Sequence, residues 1–400
     1  MYNPKMKERK YEFPDLSPEM EVIFRSIGVE KNREVRIAEI LKKGIDWATL
    51  ETTAREHNVL PLLYTQLKNL DESLVRPEEM LRMEAHYRGN VLRSLRLAQT
   101  LHWIIEMLYG NGIDVIAFKG PALAVQAYGD LLLRTFADLD ILVHPGDFYR
   151  TCDVLTAAGL HSSVPLNKHT KKYWRRFRRN IEFTDNINFI DIHQQVTPGP
   201  KRFGLKEKTW QNQNMVDLLF GKIPVLSPEH SLLCICVHAA QNDWGSLRSM
   251  ADIAHLISRH PGLNWNDLIA DARGIGCLRM LRLGLQLSQT IGGVELPAEA
   301  RQLIGEDRET GELSKKFLQQ LLNRSKNRTG KTVKARKLND TLTLIRSMDS
   351  LAPRISYLAY FVFTPTILDW KVIKLPGFLW PVYFLVRPFR LFFKWVALLF

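Results

Sequence analysis

The sequence predicts an α+β fold, a small mixed sheet flanked by N-terminal and C-terminal helical regions. Three observations carry that prediction. Apolar residues recur at helical spacing over residues 16–108, with no strand-like alternation. At residue 113 the pattern changes to short, β-branched apolar runs separated by turns and short helical segments. From about 205 to 300 the helical period returns.

Taken in order, residues 1–15 read as a loose, charged arm without the apolar core of a signal peptide. The helical region 16–108 includes AEILKKGIDWATLETTAREHNVLPLLYTQLKNL. It ends in LRSLRLAQTLHWIIEMLYG, a long helix closed by Gly110, with Asn111-Gly112 as a turn. Residues 109–200 form the sheet unit. IDVIAF is its first strand, broken by Lys119-Gly120-Pro121, and ALAVQAYG is a short helix ending at Gly129. DLDILV is the second strand, stopped by His144-Pro145-Gly146, and DFYRTCDVLTAAGL is a helix with Gly159 at its end. NIEFT and INFIDIH flank Asp185-Asn186 as an antiparallel hairpin, which makes the sheet mixed. Residues 201–310 are a helical domain, where Ser227 opens SPEHSLLCICVHAAQ as a capping box whose acid, Glu229, falls one position early. Residues 311–340 hold nine Lys or Arg against two acids and read as an exposed basic connector; 341–400 are aromatic and basic.

At 46% hydrophobic and 24% charged residues, the 400-residue chain has the composition of a globular protein, which excludes disordered and fibrous classes. A net charge of +13 points to an anionic partner: nucleotide, nucleic acid or membrane surface. Cys152, Cys234, Cys236 and Cys277 are too few for a disulfide scaffold and lack a second pair at zinc-ligand spacing. They read as reduced core residues of a cytosolic protein. No run of uncharged apolar residues is long enough for a clear membrane span.

The chemistry concentrates in DLDILV. A strand sends residues i and i+2 to the same face, so Asp138 and Asp140 project together. Alone, the pair suits a solvated edge strand. Buried and unpaired, the carboxylates would cost several kcal/mol or force one to protonate. A divalent metal relieves both penalties, and Mg²⁺ takes hard oxygen ligands from one or two carboxylates plus substrate phosphates. In INFIDIH, Asp191 and His193 share a face, and Asp191 completes a three-carboxylate cluster if its strand runs beside DLDILV. Upstream, the Lys119-Gly120 turn lets backbone approach a ligand and presents helix N-terminal N–H groups to phosphate.

This constellation resembles the DNA polymerase beta-like nucleotidyltransferase superfamily. Its pattern is a Gly-containing turn, Asp-x-Asp on the next strand and a third acid on a later strand. The wording FKGPALAVQAYGDLLLRTFADLDILV, with the later DIH, is similar to an uncharacterised bacterial nucleotidyltransferase family, and the likeness extends over most of the chain. The resemblance implies a nucleotidyltransferase core in which Asp138, Asp140 and Asp191 are catalytic and bind Mg²⁺ or Mn²⁺. It further implies that Lys119, Gly120, Arg134 and His193 bind a nucleoside triphosphate. The superfamily's usual turn is Gly-Gly or Gly-Ser; Lys-Gly-Pro removes a hydroxyl contact to phosphate and offers the Lys119 charge instead.

Each supporting residue also has a structural reading. Arg134 reaches the triphosphate or pairs with an Asp, and His193 touches the nucleotide, orients Asp191 or is a buried, hydrogen-bonded histidine. KHTKKYWRRFRRN, residues 168–180, interleaves seven basic residues with Tyr173, Trp174 and Phe177. That suits RNA, the triphosphate, or a solvated helix packing its rings inward. Arg248 and His255 have a spacing similar to the Arg–His motif of HEPN-type ribonucleases, which packing on one helix also explains. His238, Trp244 and Asp252 read as organising the helical domain and lining the cleft that holds the base or acceptor. The tail LPGFLWPVYFLVRPFRLFFKWVALLF places Arg387, Arg390 and Lys394 among rings, as an element that lies on an anionic membrane or docks on the protein's own core or a partner.

The expected activity is metal-dependent transfer of an NMP from an NTP to an acceptor that the sequence does not identify, in a cytoplasmic protein that is peripheral at the membrane if the tail at 375–400 binds it. The alternatives are nucleotide binding without turnover on the same fold, and nucleotide addition to tRNA ends with 168–180 as the RNA platform.

Overall fold

Seven strands build one mixed sheet: β1 (Val115–Ala117), β2 (Asp138–Val143), β3 (His161–Ser162), β4 (Asn180–Thr184), β5 (Phe189–His193), β6 (Asn214–Leu218) and β7 (Gly221–Val225). Their order is β3-β4-β5-β2-β1-β7-β6. The computed structural model describes residues 16–164, 166, 180–196, 210, 213–326 and 344–399. With helices before and after the sheet, the fold is α+β, as the sequence predicts.

The N-terminal part is helical throughout: Pro18–Ile27, Arg33–Lys42, Trp47–Glu56, Leu60–Lys68 and the long Pro77–Gly110. Its starts are locally encoded. Ser17 accepts from the Met20 N–H ahead of Pro18, and Asp46 Oδ1 accepts from the Ala48 and Thr49 N–H groups at 3.0 and 3.1 Å.

At the centre, β2 pairs parallel with β5 and antiparallel with β1, and β4–β5 is the hairpin expected around Asp185-Asn186. Its turn is built by Asp185 Oδ1, which accepts from the Ile187 and Asn188 N–H groups, and by Asn186 at φ +73°. One face of the sheet is apolar. Leu139, Ile141, Val143, Ile190 and Ile192 pack with Leu101, Ile105 and Leu108 of the long helix and with Phe148 and Leu155. Burying each such side chain contributes about 1.5–3 kcal/mol. On the opposite face, Ile116, Phe118 and Leu142 join the core of the later helices Pro228–Gln241, Leu247–Arg259 and Leu278–Gly292. The acid-bearing face of β2 therefore looks toward the helical domain.

Three departures have physical causes. Residues 205–300, predicted helical, include the β6–β7 hairpin, which extends the sheet past β1. Its turn holds Leu219 and Phe220, large exposed residues in place of the usual polar turn signal, so the apolar run masks the break. At the Pro228–Gln241 helix, Ser227 Oγ accepts from the His230 N–H, whereas Glu229 accepts from the Asn264 N–H of another helix start and closes no reciprocal box. The helix Arg308–Lys326 runs into the basic stretch at 311–340, because Leu313, Phe317 and Leu321 recur at helical spacing and are buried. The rest of that stretch from 327 on, the arm 1–15 and residues 168–179 of the basic-aromatic segment lie outside the described residues.

All four cysteines are buried and unbridged. Among the described residues no helix is long and apolar enough to cross a membrane. The tail forms helices Leu351–Phe363, Ile367–Val372 and Tyr383–Leu399, with Trp380 and Tyr383 buried in the apolar core behind the sheet.

Candidate active site

Strand alternation and register assemble the site. On β2, Asp138, Asp140 and Leu142 share a face, and the parallel partner β5 sets Asp191 opposite Asp140 and His193 opposite Leu142. Asp140, Asp191 and His193 can each offer a ligand atom such that all lie within 4.8 Å of one another. His193 Nε2 is 3.0 Å from Asp140 Oδ1 and 4.0 Å from Asp191 Oδ2. The nitrogen is buried against the Asp140 carboxylate. Phe118 sets the ring's orientation edge-on, with centroids 4.9 Å apart.

Two carboxylates and an imidazole nitrogen converging on one point fit a divalent cation, oxygen donors suiting Mg²⁺ or Mn²⁺ and the nitrogen favouring Mn²⁺. The electrostatics agree. Burial, opposed by His193 and reinforced by Asp140, Asp138 and Glu182, pushes the Asp191 carboxyl above its usual range. Glu182 sits directly across from Asp191 on β4. Asp138, at the exposed start of β2 and outside the converging set, is likewise raised by partial burial and then by Asp140. Asp140 is the exception. Burial alone would raise it, but Lys119 and His193 hold it well below the usual carboxylate range.

Lys119 Nζ donates to Asp140 Oδ1 at 2.9 Å and lies 5.1 Å from the Phe118 ring centroid. Burial works against its charge, and the Asp140 carboxylate more than compensates, raising its pKa. Gly120, first residue of the Gly120–Tyr128 helix, has φ +46°, and a Cβ there would stand 3.0 Å from the Asp138 carbonyl oxygen. Both strain and space thus call for glycine at the turn that meets β2.

Arg134 pairs with Asp252, within the field of Asp138 and Asp140. Its Nε and Nη2 donate to Asp252 Oδ1 and Oδ2 at 3.0 and 3.1 Å, and the Tyr128 hydroxyl donates to Oδ1 at 2.8 Å. The pair ties the sheet unit to the Leu247–Arg259 helix. Arg248 on the same helix donates to the Thr135 carbonyl at 2.8 Å and lies in the field of Asp138. His255 packs its ring on Tyr128, with centroids 4.5 Å and planes 35° apart. From the Pro228–Gln241 helix, Cys234 and His238, one turn apart, come within electrostatic reach of Lys119 and Asp140. Phe118 and Arg248 are site neighbours that the motif alone does not pick out. Period-2 alternation from Ile116 signals Phe118, whereas nothing local signals Arg248.

A model of a family described as uncharacterised nucleotidyltransferases matches residues 43–293. The chain belongs to that family. The match spans the N-terminal helices from Trp47 on, the sheet with its carboxylates and the later helices through Gly293. A solved structure, an antigenic nucleotidyltransferase-like protein from Paracoccidioides brasiliensis, is similar at 15% identity over 52% of this chain and 94% of that one, with a TM-score of 0.27. Among curated proteins nothing matches.

Proposed function

We propose that this nucleotidyltransferase-family chain moves an NMP from a nucleoside triphosphate to an acceptor hydroxyl with a divalent metal. The observation that carries the reading is the Asp140–Asp191 register, with His193 Nε2 aimed between them and Lys119-Gly120 alongside. Asp138, Asp140, Asp191 and His193 would hold the metal, which when bound neutralises phosphate charge and activates the attacking and leaving oxygens.

The chain's own groups do the rest. Lys119 is withdrawn onto Asp140 and is close enough to exchange that carboxylate for incoming phosphate, so the charge waiting in the site is transferred to the nucleotide. The N–H groups at the start of the Gly120–Tyr128 helix present positive dipole to the same phosphates. Asp191 takes the acceptor's proton as its oxygen attacks the α-phosphorus; the bond to the β-phosphate breaks and pyrophosphate leaves. Arg134 contributes by fixing the sheet to the helical domain through Asp252.

Incubation with each α-labelled NTP and Mg²⁺ or Mn²⁺ in host lysate tests this. Label entering protein, RNA or a small molecule, and lost on Asp140→Asn, supports it and identifies the acceptor. Tight nucleotide binding with no transfer to any acceptor would overturn it. The Lys119–Asp140 pair lends one observation to that second reading, a nucleotide-binding protein without turnover, because a lysine neutralising a metal ligand is also how a retired site would be stabilised.

A further inference from the structure

The tail carries an unusual surface. Among the described residues, twelve of the twenty-one exposed large hydrophobic side chains lie between 351 and 393. They follow helical spacing. Leu351, Ile355 and Leu358 form a stripe on the helix Leu351–Phe363, which buries none of its thirteen residues. Leu385, Phe389, Phe392 and Phe393 form another on Tyr383–Leu399, and Leu368 and Val372 a third on Ile367–Val372. A soluble surface rarely leaves contiguous apolar area uncovered unless something else covers it.

These helices are held firmly. Asp369, fully buried, takes Arg387 Nη1 at 3.2 Å and Arg390, while Arg387 Nη2 donates to the Phe361 carbonyl at 2.8 Å. Trp380 and Tyr383 anchor the preceding segment in the core behind the sheet. The stripes are thus the outward side of a docked structure.

Charge decides the occupant. Residues 341–400 hold seven Lys or Arg against two acids, and of those acids Asp369 is enclosed by arginines. A second copy would set this excess of positive charge against itself, whereas an anionic bilayer accepts both the apolar stripes and the net positive charge. No helix among the described residues is long and apolar enough to span, so contact is along the surface.

We propose that the tail's apolar face lies on an anionic lipid surface and holds the enzyme there. The inference stands independently of the active-site reading. The test is flotation of the full chain with phosphatidylcholine vesicles, with and without phosphatidylglycerol, beside sedimentation equilibrium without lipid. The expected result is binding to the anionic vesicles, weakened at high salt and lowered about tenfold or more by Phe389→Ser/Phe392→Ser/Phe393→Ser. Those side chains are exposed, so the variant's urea midpoint should match that of the parent. Absent binding, equal binding to neutral vesicles, or a dimer that the triple substitution dissociates would each overturn the proposal, the last by showing that a second copy covers the face.

Discussion

Arg134 and Asp252, 118 residues apart in sequence, form a buried two-point ion pair between the sheet unit and the helical domain. Arg134 follows the helical turn Leu131–Leu133 that leads to β2, and Asp252 lies mid-way along Leu247–Arg259, so their contact ties that helix to the entry of the acid-bearing strand. Each charge is desolvated, and each depends on the other for compensation. Asp252→Asn should therefore destabilise the protein by about 3–5 kcal/mol, because it strands the Arg134 charge. Urea midpoints check it. A loss under 1 kcal/mol would mean that water or another acid takes over.

The metal reading predicts separable effects at the cluster. Asp140→Asn and Asp191→Asn should each lower NMP transfer about a hundredfold or more, since each removes a ligand. His193→Asp leaves an all-oxygen donor set, so the half-saturating Mn²⁺ concentration should rise relative to that of Mg²⁺ by about tenfold. Metal titrations of both proteins measure that ratio. If it is unchanged, His193 lies outside the ligand set.

This part of the site was legible because it rests on period-2 geometry. Asp138-Leu139-Asp140 announces a shared face, and a hairpin ending in Asp191-Ile192-His193 needs only to lie beside β2 for the groups to meet. Which charge answers which was not legible. Arg134, one strand entry away from Asp138, turns to Asp252, and Lys119 turns to Asp140; both choices depend on packing between distant segments. The β6–β7 edge was hidden for a local reason, with Leu219 and Phe220 sitting where Gly, Asn or Asp would mark a turn.

Gly120→Ala should impair both folding and activity. At φ +46° an alanine pays a left-handed backbone penalty of about 1 kcal/mol, and its Cβ presses on the Asp138 carbonyl, which is strand backbone and yields little. The expected outcome is a loss of about 1–3 kcal/mol in the urea midpoint analysis, with NMP transfer falling further than stability explains. A variant with full activity would detach the turn from nucleotide binding.

His255 makes stability fall with pH in a definite window. Its ring packs on Tyr128, and burial first, then the Arg33 charge, hold its pKa down to about 4. In the unfolded chain an imidazole titrates near ~6.5. Above that pH both states are neutral there, so the contribution is fully present. As pH falls toward 4 the unfolded chain takes up a proton that the folded one refuses, and stability drops by about 1.4 kcal/mol per unit. Between pH 7 and pH 5 this amounts to about 2 kcal/mol, which His255→Phe, keeping a ring against Tyr128, should remove. Urea midpoints of both proteins at the two pH values measure the difference. Identical pH slopes would show that the folded protein accommodates the imidazolium and that His255 is not the group that titrates.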